Sequence, residues 1–180
     1  MNHPLQGSIL LVDDEASIVR SLHRALRAPL GNQVKIVTCH SGAEAIEALL
    51  AQRFDVIVSD LRMPHMGGME LLAMAADIQP GCLRMILTGT ADFSTAQDAV
   101  NQFGLYRYLT KPWDTDELVR HISAALAASV AQRSQQDQAM AWAASQGQVS
   151  AEALERRKLE ALEPGITRVE WDEDGCVIMR

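Results

Sequence analysis

A chain of 180 residues, 48% hydrophobic and 22% charged, is long enough for one domain with a small appendage and too apolar for wholesale disorder. Its 16 basic against 23 acidic side chains give a net charge of −7, which excludes roles resting on a broad basic surface, such as unspecific DNA binding or polybasic membrane contact. Three cysteines, Cys39, Cys82 and Cys176, lie far apart without a CxxC pair, so a reducing compartment is expected and a disulfide framework or zinc site is not.

The first apolar run, Ile9–Val12, predicts a strand. After it Ile18, Leu22 and Leu26 fall at i, i+4 and i+8, one face of a helix with Val19 and Ala25 beside it. Val34–Cys39 reads as the second strand, and Ser41 as the N-cap of a helix carrying Ala45, Ile46, Leu49 and Leu50. Asp55–Ser59 is the third strand, followed by a helix from about Gly68 that stops at Pro80-Gly81. Arg84–Thr88 is the fourth, with a helix over 94–103 that ends at Gly104, a natural C′ residue. Tyr106–Thr110 is the fifth, and Asp114 with Glu117 opens a last helix in capping-box spacing. Each strand is nearly continuous in apolar or β-branched residues, as in a parallel sheet buried on both faces. The alternation predicts an α/β fold with a doubly wound five-stranded parallel sheet, whose ligand sits at the carboxyl ends of the strands.

Past about residue 125 the character changes. Ala124–Ala144 is a good helix former in which Ile122, Leu126, Val130 and Met140 could line one seam, interrupted by Arg133 and Asp137, so no sustained heptad is supported. Gln146-Gly147 breaks the pattern, Ser150 can cap a short helix over 151–162, and Pro164-Gly165 stops it. Residues 166–179 are two β-prone runs around Asp172-Glu-Asp-Gly175, a β-hairpin signal. The expected division is a domain over 7–128 and an extension over 129–180, an interaction or dimerisation module.

The polar residues that end the strands carry the chemistry. Asp13 and Asp14 follow the first, Asp60 the third, Thr88 the fourth and Lys111 the fifth, so all converge on one edge of the sheet. Three carboxylates together need a compensating cation, and hard oxygen ligands with room for water suit Mg²⁺. A lysine and a hydroxyl facing it make a cradle for phosphoryl oxygens, and a carboxylate between them can act as nucleophile. The pattern points to phosphoryl transfer to an aspartate.

The set Asp13-Asp14, the run Asp-Leu-Arg-Met-Pro-His-Met-Gly from Asp60 to Gly67, Thr88-Gly89 and Tyr108-Leu-Thr-Lys-Pro112 resembles the receiver domain of two-component response regulators over residues 7–128. The resemblance implies a flavodoxin-like (βα)5 receiver in which Asp60 accepts a phosphoryl group from a histidine kinase or a phosphotransfer protein. It implies Mg²⁺ held by Asp14, Asp60 and the backbone carbonyl of Arg62, with Asp13 acting through metal-bound water. Lys111 would pair with the phosphoryl group or, before phosphorylation, with Asp60. Thr88 would move to a phosphoryl oxygen, Tyr108 would swing into the space it leaves, and the Lys111–Pro112 peptide would be cis. The run from Gly104 to Trp113 is similar to receivers fused to, or paired with, cyclic-dinucleotide phosphodiesterase and other signalling output domains, and less like those of the usual DNA-binding regulators, where Phe tends to follow the Pro.

Other residues have plainer readings. Gly67 and Gly68 permit a tight loop, and Tyr108 on its own could be a strand aromatic. His65 reads as a solvated loop histidine, and His3, His23, His40 and His121 show no metal-ligand spacing. Met63, Met66, Met69 and Met74 are expected in the core, and Arg156-Arg-Lys158 among glutamates on a solvated helix face. Trp142 and Trp171 must be covered either by the extension's own packing or by a partner or dimer interface. The extension holds six basic and nine acidic residues and neither a helix–turn–helix pattern nor a second catalytic signature, so output through protein contact is expected, without direct DNA binding. Three classes compete: a phosphorylated regulator acting on a downstream protein or through a homodimer, a phosphorylation-independent scaffold or adaptor, and a Mg²⁺-dependent aspartate phosphatase. The last is disfavoured because Arg62 stands where such enzymes carry a second Asp, so no turnover of external substrates is expected. No apolar run reaches the 18 or so residues of a membrane span and the start lacks a signal-peptide pattern, so a soluble cytoplasmic protein is expected.

Overall fold

The computed structural model describes residues 6–89 and 104–145, together with Leu159. The five apolar runs become strands β1 (Gly7–Val12), β2 (Val34–Cys39), β3 (Val56–Asp60), β4 (Leu83–Gly89) and β5 (Arg107–Lys111). The described helices are α1 (Ala16–Leu30), α2 (Gly42–Ala51), α3 (Gly68–Ile78) and α4 (Thr115–Ser145). The expected helix over 94–103, the short helix over 151–162, the hairpin over 166–179 and Trp171 lie outside the described residues.

The sheet runs β2-β1-β3-β4-β5 with every neighbouring pair parallel. The winding therefore reverses between β1 and β3, and the crevice at their carboxyl ends is where such sheets hold ligands. Strand alternation sends Ile9, Leu11, Val56 and Val58 to one face, under α1 and α4, where they bury Leu22, Leu26, Ile122 and Leu126. Leu10, Val12, Ile57 and Ile86 face α2 and α3, packing on Ala45, Leu49, Leu71 and Leu72. Both faces are covered, which is why these strands read as continuous apolar runs.

Three strands end one residue later than expected, β4 at Gly89 among them. β3 includes Asp60, which pairs with Leu87, and β5 includes Lys111, which pairs with Gly89. An apolar pattern stops short of polar residues that the ladder still holds. The caps form as the sequence predicts: the Ser41 hydroxyl accepts the Glu44 N–H at 3.2 Å, and Asp114 Oδ1 accepts the Glu117 N–H at 2.9 Å.

Some apolar residues end elsewhere than expected. Met63 is buried and Met66 and Met69 pack against the core, but Met74 is exposed, and Val130 lies on the outer side of α4. Arg133 does not interrupt the α4 seam, because a side chain of the sheet meets it there, as described below. The sequence also gave no sign of buried Gln79, whose amide donates to the carbonyls of Leu49 at 2.6 Å and Gln52 at 2.7 Å and accepts from Phe54 N at 2.9 Å. It closes the end of α2 onto the start of β3, satisfying backbone groups that would otherwise be buried without partners.

Candidate functional site

The site is built from strand ends. Asp13 follows β1, and its side chain is 1% exposed. Its Oδ1 accepts the Glu15 N–H at 2.9 Å, and its Oδ2 accepts from Lys111 Nζ at 2.6 Å. Asp60 closes β3; its Oδ2 accepts the Arg62 N–H at 2.7 Å, and its Oδ1 lies 2.5 Å from Lys111 Nζ. One ammonium from β5 thus reaches over β4 and bridges carboxylates from β1 and β3. The expected Lys111 partner was Asp60 alone; the structure adds Asp13. Asp14 and the side chain of Arg62 are exposed.

Thr88 is fully buried on β4, and its hydroxyl donates to its neighbour's carbonyl, Gly89 O, at 3.3 Å. Tyr108 is half-buried on β5 and, with Tyr106, Trp113, Glu117 and His121, lines a groove of about 360 Å³ between β5 and α4. The Lys111–Pro112 peptide is cis. Trp142, far along α4, is 63% exposed, so the described residues leave most of its surface to solvent.

The loop between Asp60 and α3 is pinned at three places. Met63 enters the core, and Met66 lies on Gly42, where an added Cβ would come within 2.6 Å of its Sδ. Gly68 approaches the Asp60 carbonyl so closely that a Cβ would sit 1.9 Å from that oxygen. The sequence signals a tight loop at Gly67-Gly68; the structure gives its reason at Gly68 as close approach, not unusual φ. The left-handed residue is His65, exposed and with φ 67°, which no sequence pattern announced. Gly68→Ala is expected to cost about 1–3 kcal/mol in urea unfolding, because the obstruction is backbone and cannot step aside. An unchanged midpoint would mean that the loop relocates freely.

The charges explain the proton affinities. Burial raises the Asp13 carboxyl above its ordinary value and the charge of Asp60 adds to this, outweighing the hydrogen bonds from Lys111 and Glu15 and the charge of Lys111. Burial alone would lower Lys111, but hydrogen bonds and charges from Asp13 and Asp60 hold it above its ordinary value. Both shifts favour bound protons, as expected where two carboxylates share one ammonium. Buried Cys39 and Cys82 are free thiols pushed up to about 11 and about 12, chiefly by burial, and so stay protonated and inert.

Among the described residues, no three His, Cys, Asp or Glu side chains converge as a ready-made metal cage. Mg²⁺ does not require one, since it keeps several waters and uses one or two carboxylates. The carboxylates of Asp13 and Asp60, brought together at the ends of β1 and β3 around a single ammonium, are hard oxygen donors of the kind that fits this ion.

The family described as response regulator receiver domain matches residues 9–123. GlrR of Escherichia coli K12, a transcriptional regulatory protein, is 38% identical over 118 residues, 66% of this chain and 26% of its own length. NtrC of the same strain, a DNA-binding transcriptional regulator, is 38% identical over 121 residues, 67% of this chain and 25% of its own. The chain thus spans about a quarter of the length of the curated relatives it matches. Among solved structures, one titled adenylate cyclase from Rhodopirellula baltica is 34% identical with a TM-score of 0.68, covering 76% of this chain and 98% of that one. The signal receiver domain of an HD domain-containing protein from Pseudomonas fluorescens Pf-5 is 31% identical with a TM-score of 0.64, covering 70% and 98%. A switch-point crevice lined by strand-end acids and a strand-end lysine, on a chain matched across most of its described domain, means that this protein belongs to the response regulator receiver family of two-component signalling.

Proposed function

We propose that this chain is a phosphorylation-controlled response regulator whose Asp60 takes a phosphoryl group from a phosphohistidine. The observation that carries the reading is the single Lys111 ammonium held at 2.6 Å and 2.5 Å between Asp13 and Asp60. It sets the Asp60 carboxylate beside a counter-charge that, in this reading, follows the new anion once it forms.

In the proposed step an Asp60 oxygen attacks phosphorus, the P–N bond of the donor breaks, and the leaving imidazole takes up a proton. An acyl phosphate remains on Asp60. Lys111 then turns from the carboxylate to a phosphoryl oxygen, and Thr88 gives up its bond to Gly89 O to donate to another. Tyr108 moves toward the space Thr88 leaves, which changes the groove between β5 and α4. Mg²⁺ held by Asp14, Asp60 and the Arg62 carbonyl, with Asp13 through water, would supply positive charge for the transferring oxygens. Arg62, two residues past Asp60, offers no general acid, so the chain is read as a phosphoacceptor and not as a phosphatase of external substrates.

Input from a histidine kinase or phosphotransfer protein and output to a downstream protein, with a homodimer as one form of output, complete the reading. DNA binding is not carried across from GlrR or NtrC, because the chain matches only a quarter of each and its extension has a net charge of −3. No described helix is long and apolar enough to cross a membrane.

Incubation with acetyl phosphate and Mg²⁺, followed by intact mass and peptide mapping, tests the proposal. One phosphoryl group on the Asp60 peptide, absent when Mg²⁺ is chelated, is the expected result. No adduct with any small phosphodonor would overturn it in favour of a phosphorylation-independent scaffold.

A further inference from the structure

The buried stripe of α4, Leu118, Ile122, Ala125 and Leu126, packs on the sheet, and the same helix face continues into Ser129 and Arg133. These two polar residues meet Asp55, just before β3, at the edge of the sheet opposite Asp60. The Asp55 residue is only 6% exposed. Its Oδ2 accepts Ser8 N at 2.8 Å and Ser8 Oγ at 3.2 Å. Its Oδ1 accepts Ser129 Oγ at 3.2 Å and is paired with the Arg133 guanidinium. The backbone is tied as well: Asp55 N donates to Ser8 O and Asp55 O accepts from Leu83 N, both at 2.9 Å. Gly7 leaves the room, since a Cβ there would fall 2.8 Å from Leu126 Cδ2 and 2.9 Å from Asp55 Oδ2. One residue therefore joins β1 and α4 through its carboxylate, and β1 and β4 through its backbone.

A carboxylate this buried is held by its donors, and among the described residues Arg133 is its one salt-bridge partner. Beyond Arg133, residues 134–139 are exposed on every side of the helix. An exposed polar helix of that length buries little apolar surface and is marginal by itself in water. It continues without a break from the part of the helix tied to Asp55 at Arg133, past the end of the family match at residue 123.

We propose that Asp55, Ser129 and Arg133 form a clamp that makes α4 through Arg133 part of the receiver and sets the direction in which its remaining turns leave. A change at Asp60 then reaches residues after 133 along a stiff helix and not across a loose linker. This last step rests on the phosphoacceptor reading; the clamp does not.

Hydrogen-exchange mass spectrometry on the full chain tests it, with Arg133→Met, Arg133→Lys, Asp55→Asn and the double variant Asp55→Asn/Arg133→Met. In Arg133→Met, exchange over 127–145 is expected to quicken roughly ten- to hundredfold while the sheet peptides stay at wild-type rates. Arg133→Lys is expected to recover part of the protection, and adding Arg133→Met to Asp55→Asn to change little further. Wild-type exchange in Arg133→Met, or equal acceleration of helix and sheet, would overturn the clamp. The arginine variants decide the matter even if Asp55→Asn fails to fold. Acetyl phosphate treatment of the same samples separates the two readings: no phosphoryl adduct on wild type sinks the phosphoacceptor and leaves the exchange result to judge the clamp.

Discussion

Asp60→Asn is expected to abolish phosphoryl uptake from acetyl phosphate in the presence of Mg²⁺, leaving no adduct by intact mass, while the fold survives with its unfolding midpoint barely changed. The substitution keeps the shape, and the side-chain oxygen can still accept the Arg62 N–H that Asp60 Oδ2 accepts at 2.7 Å. It loses the nucleophile, because an amide does not attack phosphorus. The fold tolerates it because one of two carboxylates sharing Lys111 disappears, and with it the charge that raises the proton affinity of Asp13. Asp13 remains to hold Lys111 at 2.6 Å. Asp13 is also a poor substitute acceptor, being buried with both oxygens occupied. A surviving adduct would move the acceptor to exposed Asp14 and overturn the assignment.

The carboxyl edge of the sheet was legible in the sequence because it needs only strand order along the chain. Five apolar runs place their following residues on one edge, so Asp13, Asp60, Thr88 and Lys111 converge whatever the helices between them do. The opposite edge was not legible. Asp55 and Arg133 are 78 residues apart, and Arg133 in an Ala- and Gln-rich helix looks like an interruption until the buried acid facing it is known. Gln79 escaped for the same reason, since its partners at Leu49, Gln52 and Phe54 belong to other elements. Nor could composition tell that Gly68 answers the Asp60 carbonyl, or that His65 adopts a left-handed backbone. Periodicity reports which face is buried; it does not report which polar groups are buried with it.

Lys111→Met is expected to destabilise the fold at neutral pH by roughly 2–4 kcal/mol in urea unfolding, somewhat below the usual cost of breaking a buried pair because the lysine side chain is 20% exposed. Methionine keeps much of the length and the packing, so the loss comes from two carboxylates left facing each other. The pH dependence identifies the cause. Without Lys111, Asp13 loses its salt-bridge hydrogen bond and the attractive charge, and burial with the repulsion of Asp60 raises its carboxyl further above 3.8. An acid whose folded-state value is raised stabilises the fold below its unfolded value and loses that contribution as pH rises through the folded one. The deficit against wild type should therefore be small near about pH 4 and grow toward neutrality. It should narrow again at high alkalinity, because Lys111 is held above 10.5 in the wild-type fold and its contribution is lost once pH exceeds that raised value. Mg²⁺ at neutral pH should raise the midpoint of the variant more than that of wild type, a divalent cation standing in for the missing ammonium. Urea midpoints across this range, with and without Mg²⁺, are the measurement. A deficit that stays flat with pH and is indifferent to Mg²⁺ would mean that Lys111 acts through packing and that the carboxylates do not repel one another.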